Sequence, residues 1–319
     1  MLRRLLLALL LALAPAPALA WWDYGHETVA RIAWLEVRPE TRSAIRRLLG
    51  RSALLETPDC PAATLAQASV WADCVRSLGD RFSYTASWHY QNSDICRDFE
   101  HPAACRDGNC VSAQIERNAR LLADRAVPLR ERVMALAFLI HFVGDLHQPL
   151  HVGDRGDAGG NRFPVAYGLI AGRNNLHLTW DGYLAERSIS TPVAGAEGLL
   201  AEASDAELEA MGAGTVTDWA RESWETSRDF AYGSALADPC GEVPAERPVI
   251  DEATTRRLIP IVRRQALRGG LRLARLLDEA LIPPPQGEEP IPARPSRRGG
   301  SGTRHIRSSP RPPGAPCPS

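Results

Sequence analysis

Residues 141–151 read His-Phe-Val-Gly-Asp-Leu-His-Gln-Pro-Leu-His, and they follow an apolar run long enough for a buried helix. On such a helix His141 and Asp145 lie one turn apart on the same face. Pro149 ends the helix, so His151 is free of the helical period and can turn toward a different centre. A core helix gains little from a histidine and an aspartate on one face. The arrangement therefore suits ligands for adjacent metal ions.

A second histidine and aspartate repeat this spacing further along the chain. His177 and Asp181, in Asn-Leu-His-Leu-Thr-Trp-Asp, are again one helical turn apart, and Asp73 is a carboxylate within the apolar turn Ser-Val-Trp-Ala-Asp. Buried histidines and aspartates are often only hydrogen-bonded core groups, so one pair alone does not identify a metal site. The repetition favours a metal centre. The remaining histidines are His26, His89, His101, His147 and His305.

The composition is that of a globular protein with almost no net charge. The 319 residues, 45% of them hydrophobic, suffice for one large domain or two small ones with a packed core. The formal net charge is −1, and every basic residue is an arginine because the chain contains no lysine. This balance argues against a protein that holds nucleic acid mainly through a broad basic field. Any phosphate binding must be local.

The first twenty residues have the pattern of a signal peptide. Arg3 and Arg4 precede a Leu/Ala-rich run, and Ala18-Leu19-Ala20 is the small-x-small pattern of a cleavage site. A membrane anchor is the alternative, but this apolar run is too short to span a bilayer of roughly 30 Å. We therefore expect cleavage before Trp21 and a periplasmic or secreted protein without stable membrane association.

The cysteines fit an oxidising compartment. Cys105 and Cys110 enclose a short loop and are the simplest pair to assign. Two more bridges are expected among Cys60, Cys74, Cys96 and Cys240, with the connectivity left open, and Cys317 remains over. No Cys-x-x-Cys pair occurs, so thiolate metal binding is disfavoured.

The hydrophobic pattern predicts a mainly helical domain. Residues 80–110 lack a clear period, which places His89 in a loop or irregular segment, and 153–161 form a polar glycine-rich loop without the Lys-Ser/Thr of a phosphate-binding P-loop. From 283 onward a Pro, Gly, Arg and Ser composition predicts a disordered tail. The expected helices span 21–37, 39–50, 61–76, 111–126, 128–145, 176–186, 205–211, 215–232 and 251–281; 162–169 is a short strand pair or loop, and Pro260 and Gly269-Gly270 are candidate breaks in the last helix.

Several short motifs together resemble the S1/P1 nuclease family. The resemblance runs in order from Trp21 to about Leu281. It implies an all-α, single-domain phospholipase C/P1 nuclease-like fold over residues 21–282, with three zinc ions in a cleft. It also implies hydrolysis of single-stranded DNA and RNA to 5'-nucleotides, often with 3'-nucleotidase activity, and we expect a monomer. The motifs are Trp21 with His26, Trp-Ala-Asp (71–73), Trp-His-Tyr (88–90), His-Phe-Val-Gly-Asp (141–145), Gln-Pro-Leu-His-Val-Gly (148–153), Gly-Gly-Asn (159–161) and Asn-Leu-His-x-x-Trp-Asp (175–181).

The resemblance also implies how the ligands divide among three ions. The α-amino nitrogen and carbonyl oxygen of Trp21 would join His26 at one ion of a close pair, with Asp145 bridging to the other. His147 has no ligand role in the family and is expected to be structural. The ligands of the other ion of the pair would be Asp73, His89, His141 and Asp145, and those of the third ion would be His151, His177 and Asp181.

Further roles concern the substrate. Arg76, three residues after Asp73, matches a family arginine that neutralises charge on the phosphoryl oxygens. Tyr90 matches an aromatic residue on which the family stacks a base. Asn92 stands where fungal relatives have an aspartate that binds the base, and Asn161 is expected in the same cleft.

Two other functions fit part of the pattern. A zinc-dependent phospholipase C shares the expected fold, the three zinc ions and the N-terminal tryptophan. The five-residue step from Trp21 to His26, Asp rather than Glu at position 181, and Tyr90 beside His89 favour the nuclease. A zinc-storage protein without turnover is the other alternative, but open sites of His and Asp ligands suit catalysis better.

Overall fold

Helices surround one long buried helix, and short strands add only local pairing. The computed structural model describes residues 21–170, 172 and 174–282. The expected signal peptide and the expected C-terminal tail, with Cys317 and His305, lie outside these residues. The helices are α1 (Asp23–Glu36), α2 (Pro39–Leu49), α3 (Leu65–Val75), α4 (Ala103–Arg106), α5 (Val111–Ala123), α6 (Leu129–His147), α7 (Pro149–Val152), α8 (Leu176–Leu178), α9 (Leu184–Ser188), α10 (Pro192–Ala201), α11 (Asp205–Gly212), α12 (Val216–Thr226) and α13 (Glu252–Leu281).

Shorter elements connect these helices. Two parallel two-stranded pairs join β1 to β2 and β3 to β4. The strands are β1 (Ser93–Asp94), β2 (Gly153–Asp154), β3 (Ala166–Tyr167) and β4 (Val249–Ile250); the 3₁₀ segments are Ser52–Leu55, Arg76–Arg81, Ser83–His89 and Tyr232–Ser234, and the π-helical segments are Thr179–Tyr183 and Ser227–Ala231. The mainly helical fold class expected from the sequence is confirmed.

α6 lies at the centre of the core because apolar residues occupy all of its faces. Every residue from Ala135 to His147 is buried, and α3, α5 and α13 pack against it. The helix ends at His147 because the next residue, Gln148, precedes a proline and adopts an extended backbone conformation. The sequence that fills the core thus delivers His141 and Asp145 to its interior.

Some boundaries differ from those expected. The 251–281 segment is one continuous helix, α13, in which neither Pro260 nor the glycine pair makes a break. The glycines instead permit close packing, because a Cβ on Gly270 would lie 2.3 Å from the Cβ of Ile32 in α1. α10 was not expected at all from the sequence.

Among the described residues, three disulfides link neighbouring segments of the fold. The structure joins Cys105 to Cys110, as expected, and resolves the open pairing as Cys60–Cys74 and Cys96–Cys240. Cys60–Cys74 ties the segment before α3 to the residue after Asp73. Cys96–Cys240 connects the β1 region to the segment after Tyr232–Ser234. Among the described residues no helix combines the length and the apolar character that a membrane crossing requires.

Candidate metal centre

The C-terminal half of α6 presents the first two candidate ligands. His141 Nε2 lies 3.1 Å from Asp145 Oδ2, and both residues are fully buried. His141 Nδ1 lies 2.7 Å from the carbonyl oxygen of Ser69, which can only accept a hydrogen bond. The proton is therefore on Nδ1, and the Nε2 lone pair is free to bind a cation.

A first cluster forms where α3 and a 3₁₀ segment meet α6. His89 Nδ1 lies 3.0 Å from Asp145 Oδ2 and 3.4 Å from Asp73 Oδ1. The same nitrogen is 3.1 Å from His141 Nε2. His89 was expected in an irregular segment, but it is the last residue of the 3₁₀ segment Ser83–His89, a turn too short to leave a periodic sequence pattern. Asp73, His89 and His141 are thus close enough to hold one metal ion.

A second cluster uses the first turn of α1. His26 Nε2 lies 3.5 Å from Asp145 Oδ1, and its ring stacks on that of His141 with centroids 4.0 Å apart. The stacking depends on Gly144, because a Cβ there would come within 2.5 Å of His26 Nδ1. His26, His141 and Asp145 form the group that could hold a second ion. Trp21, the preceding expected ligand, is buried and packs its indole on Gly25.

The third cluster lies on the other side of Asp145. His177 Nε2 is 3.0 Å from Asp181 Oδ2, and His151 Nε2 is 3.7 Å from Asp181 Oδ1. His151 was expected outside any helix, but it lies in the one-turn helix α7, since the chain resumes helical geometry after Gln148. These three residues form another group able to hold a metal ion.

Backbone carbonyls fix the two histidines of the third cluster. His151 Nδ1 donates to the carbonyl oxygen of His89 and His177 Nδ1 donates to that of Gly159, each at 2.7 Å. Both Nε2 atoms are consequently unprotonated in the neutral rings and face Asp181. The first and third clusters are also linked, since the ring of His151 is hydrogen-bonded to the backbone carbonyl of His89, which belongs to the first cluster.

Asp181 itself is held from two directions. It lies in the π-helical segment Thr179–Tyr183, a geometry frequent at functional sites, and its carbonyl accepts the backbone N–H of Trp22 at 3.1 Å. Gln148 donates from Nε2 to Asp181 Oδ1 and accepts the N–H of Leu150. Gln148 was not expected at the site from the sequence, although an amide between His147 and Pro149 in an apolar context was a visible signal.

The buried polar atoms of the clusters fit cations. His26 Nδ1 and Nε2, His89 Nε2, His151 Nε2 and Asp145 Oδ1 have no hydrogen-bond partner although each is buried. Orphaned buried groups of this kind are costly, and lone pairs of imidazole and carboxylate that face one another repel unless positive charge lies between them. Imidazole nitrogen and carboxylate oxygen are also the donor set that zinc accepts. The residues present thus fit a metal centre.

The charges around the clusters also favour a bound cation. Burial alone would raise the pKa of Asp145, but His141 and His151 hold it well below its usual value, so the carboxylate is ionised. Burial would lower the pKa of His151, but Asp145 and Asp181 outweigh burial and raise it to about 9. The pKa of His26 is lowered, chiefly by burial and then by His141. The site attracts positive charge, which protons supply when no metal does.

Of the four residues expected to contact the substrate, two lie beside the clusters. Arg76 NH1 is 3.2 Å from Asp73 Oδ1, and Tyr90 follows His89 with 40% of its surface exposed. Asn92 is exposed and has a left-handed backbone, φ 57°. Asn161 turns its amide to the carbonyl oxygen of Ala158 within the glycine-rich loop. Arg76 and Tyr90 are therefore adjacent in space or sequence to ligands, whereas Asn161 binds its own loop.

His147 lies on the opposite side of α6. Its Nδ1 donates to the carbonyl oxygen of Val143 at 2.7 Å, so its Nε2 accepts from Arg272 NH1 at 2.9 Å. Burial and Arg272 hold its pKa well below the usual value. His147 is a neutral packing residue and no member of the three clusters.

Comparison with known proteins gives one consistent result. A family model described as S1/P1 Nuclease matches residues 21–282. Endonuclease 4 of Arabidopsis thaliana is 29% identical over 295 residues, which cover 84% of this chain and 92% of that protein. Nuclease P1 of Penicillium citrinum is 31% identical over 174 residues, 53% of this chain and 60% of its own. Nuclease S1 of Aspergillus oryzae is 30% identical over 172 residues, 53% of this chain and 55% of its own.

Proposed function

The chain belongs to the S1/P1 nuclease family, and from that premise we propose that it is a secreted zinc-dependent endonuclease. In this proposal it hydrolyses single-stranded DNA and RNA to 5'-nucleotides and also acts as a 3'-nucleotidase. The observation that carries the proposal is the convergence of three buried His/Asp groups around Asp145 and Asp181. The family model covers residues 21–282, which include all of these residues, and the relatives above are named as nucleases.

The proposed ligands follow the three clusters. Trp21 would contribute its α-amino nitrogen and carbonyl oxygen beside His26, and Asp145 would bridge the close pair because its two oxygens face different histidines. The proposed sets are Asp73, His89, His141 and Asp145 for one ion, Trp21, His26 and Asp145 for the second, and His151, His177 and Asp181 for the third.

Zinc bound in these positions would supply positive charge and lower the pKa of a coordinated water to about 7. The protein's own part is to keep Asp145 and Asp181 ionised, because neighbouring imidazoles hold the pKa of both carboxyls below the usual value. Three divalent ions against Asp73, Asp145 and Asp181 leave a formal surplus of three positive charges. That surplus explains how a chain of net charge −1 attracts a phosphodiester.

Two side chains at the rim would act on the substrate directly. Arg76 donates from the Asp73 side of the first cluster, where it can neutralise charge that develops on the phosphoryl oxygens. Tyr90 presents an exposed ring next to His89, on which an unpaired base can stack for roughly 1–3 kcal/mol whatever its identity. A base can reach Tyr90 only when it is splayed out, which favours single strands. Asn92 and Asn161 are proposed to line the same cleft.

An assay of protein beginning at Trp21 tests the proposal. Single- and double-stranded DNA and RNA, a 3'-nucleotide and a phosphatidylcholine would be offered, with zinc counted in the same sample. We expect nucleotides with 5'-phosphates, a preference for single strands and three zinc ions per chain. Hydrolysis of the lipid alone would favour a phospholipase C, and bound zinc without turnover would favour a storage protein; either result would overturn the proposal.

A further inference from the structure

The glycine-rich loop 153–161, called the glycine loop below, has a backbone that requires external support. Gly156, Ala158, Gly159 and Gly160 all have positive φ, and Ala158 adopts this left-handed conformation without being glycine. The loop also passes very close to α7, because a Cβ on Gly159 would lie 2.2 Å from the carbonyl oxygen of Leu150. Strained backbone of this kind persists only where its surroundings determine it.

Two aspartates of the loop provide that support from inside. Asp154 Oδ1 accepts the backbone N–H of Asp157 at 3.0 Å and that of Gly159 at 2.9 Å. Asp157 Oδ1 accepts the N–H of Gly160 at 2.7 Å. Asp157 therefore fixes the peptide group that contains the Gly159 carbonyl, since this C=O and the N–H of Gly160 belong to one peptide unit, and Asp154 fixes the peptide group before it.

One tyrosine fixes the loop from outside. Tyr232, which is fully buried after the π-helical segment Ser227–Ala231, donates from its hydroxyl to Asp157 Oδ1 at 2.6 Å. Its ring packs edge-on against Phe163, and the guanidinium of Arg155 lies 5.9 Å from its centre. Burial and Asp157 raise the pKa of Tyr232 far above 10, so the hydroxyl remains a donor at any pH at which the protein is folded.

The loop ends on a proposed metal ligand. The carbonyl of Gly159 accepts the proton of His177 Nδ1 at 2.7 Å, and His177 Nε2 then faces Asp181 Oδ2 at 3.0 Å. The carbonyl of Gly159 therefore determines both the tautomer and the orientation of the His177 ring. We infer that Tyr232 and Asp157 are positioning residues for His177: through the glycine loop they hold the carbonyl that orients this ligand of the third ion. The inference rests on the proposed zinc centre.

The test is zinc affinity in the substitution Tyr232→Phe, which removes only the hydroxyl. Competition with a chromophoric chelator would resolve the three ions of the folded protein. We expect one ion, the third, to bind about 10-fold more weakly, the low end for loss of an outer hydrogen-bond partner, while the other two keep their affinity. Tyr24→Phe is the matched control, because it removes a tyrosine bond to the carbonyl of Ile189 and does not touch the loop.

Asp157 gives an independent second series. Asp157→Ala removes the acceptor for Tyr232 and Gly160 and should also weaken one ion, whereas Asp157→Asn keeps an acceptor oxygen and should restore much of the affinity. A purely structural role would lower the thermal stability of the metal-free protein and leave all three affinities of the folded protein equal to those of the unmodified chain. That result in Tyr232→Phe would overturn the inference.

The two hypotheses fail differently. If the unmodified protein binds three ions but releases no nucleotides, the proposed activity is wrong. The role of Tyr232 is then still decided by the same affinity measurement. An unmodified protein that never binds a third ion would overturn the inference together with the proposed centre.

Discussion

At the scale of single residues, the metal centre depends on a position that has no side chain. Gly144 lies between His141 and Asp145 on α6, and a Cβ there would meet His26 Nδ1 at 2.5 Å. His26 cannot simply turn away, because it is buried and stacked on His141. We therefore expect Gly144→Ala to cost about 1–3 kcal/mol through overpacking and to displace the ion at His26. Metal counting after dialysis would then give fewer than three ions per chain.

Gly198 provides the control for this substitution. It is also a helical glycine, in α10, but a Cβ there meets nothing within 4 Å. Gly198→Ala should retain every ion and stabilise the protein by about 0.4–1 kcal/mol, because the unfolded chain loses freedom. Equal metal content in the two variants would argue against a role for Gly144 in seating His26.

Substitution of Arg76 tests the proposed chemistry most directly. Because it would act on charge that develops only in the transition state, Arg76→Ala should lower kcat by roughly 100- to 1000-fold with little change in KM. Arg76→Lys keeps the charge but loses the planar fork, so it should recover part of the rate. The assay is steady-state cleavage of single-stranded DNA.

The same 3₁₀ segment contains a matched arginine. Arg81 donates to the carbonyl oxygens of Leu55 and Glu56, remote from the clusters, so Arg81→Ala should leave kcat unchanged. Zinc must be counted in each variant, since Arg76 contacts Asp73. A fall in rate that only follows lost zinc would show that Arg76 supports the ligand and does not act on the phosphate.

Residue identity explains why the ligands could be expected from sequence and their supports could not. The pairs His141/Asp145 and His177/Asp181 are conspicuous at helical spacing, and the family resemblance implied the other candidates. All eight histidines and aspartates expected as ligands lie in the three clusters. Gln148 and Tyr232 act through partners 33 and 75 residues away, at Asp181 and Asp157. Such contacts leave no local pattern, because only the tertiary fold brings them together.

At the scale of elements, the disulfides should differ in how much each contributes to the free energy of unfolding, according to the length of chain that each one closes. The sequence separations are 144 for Cys96–Cys240, 14 for Cys60–Cys74 and 5 for Cys105–Cys110. Loop-closure entropy then predicts losses of about 5, 3 and 2 kcal/mol when each pair is replaced by alanine. Guanidinium unfolding of the three double variants measures this order.

The disulfide next to Asp73 should have a further effect. Cys74 follows this proposed ligand directly, so Cys60→Ala/Cys74→Ala should also weaken zinc at the first cluster, whereas Cys105→Ala/Cys110→Ala serves as the control with all ions retained. If the free energies of unfolding did not follow separation, strain or residual structure in the unfolded chain would dominate instead.

Element prediction succeeded where apolar periodicity was strong and failed where it was not. α6 and α13 were expected within a few residues, although α13 continues through Pro260 because packing against α1, α6 and α11 outweighs one lost hydrogen bond. α10 was missed since its sequence, Pro-Val-Ala-Gly-Ala-Glu-Gly-Leu-Leu-Ala, contains two glycines and has little polar contrast between faces. Its burial against α1 stabilises it, and that partner is distant in sequence.

At the scale of the whole molecule, the fold brings candidate ligands from five separate stretches to one helix, α6. α6 supplies the shared residues His141 and Asp145, and the other ligands come from α1, α3, the 3₁₀ segment before β1, α7 and the α8 region. Because α1 packs mainly on α13 and α7 mainly on α12, whereas α3 packs on α6 itself, the geometry of the clusters is a property of the entire core. The sequence indicates which residues meet but not the distances between them.

The whole fold also holds the backbone at Trp21 and Trp22 in place. Trp21 packs on Gly25, Trp22 packs on Gly182, and the N–H of Trp22 donates to the carbonyl of Asp181. The backbone at position 21 is thus fixed between α1 and the segment of the third cluster, a few residues from His26. In the proposed centre the α-amine of Trp21 is itself a ligand, which requires an unblocked and deprotonated amine with an ordinary pKa of about 7.7–8.0.

A single added residue before Trp21 should therefore abolish one zinc ion and most activity. Addition converts the amine into an amide, a far poorer ligand, while the packing of Trp21 and Trp22 can persist. The measurement compares protein beginning at Trp21 with protein that begins one residue earlier, for ions per chain and for rate on single-stranded DNA. One residue added after Ser319 is the control, and full activity with a blocked amine would exclude Trp21 as a ligand. If the prediction holds, removal of the leader completes the active site.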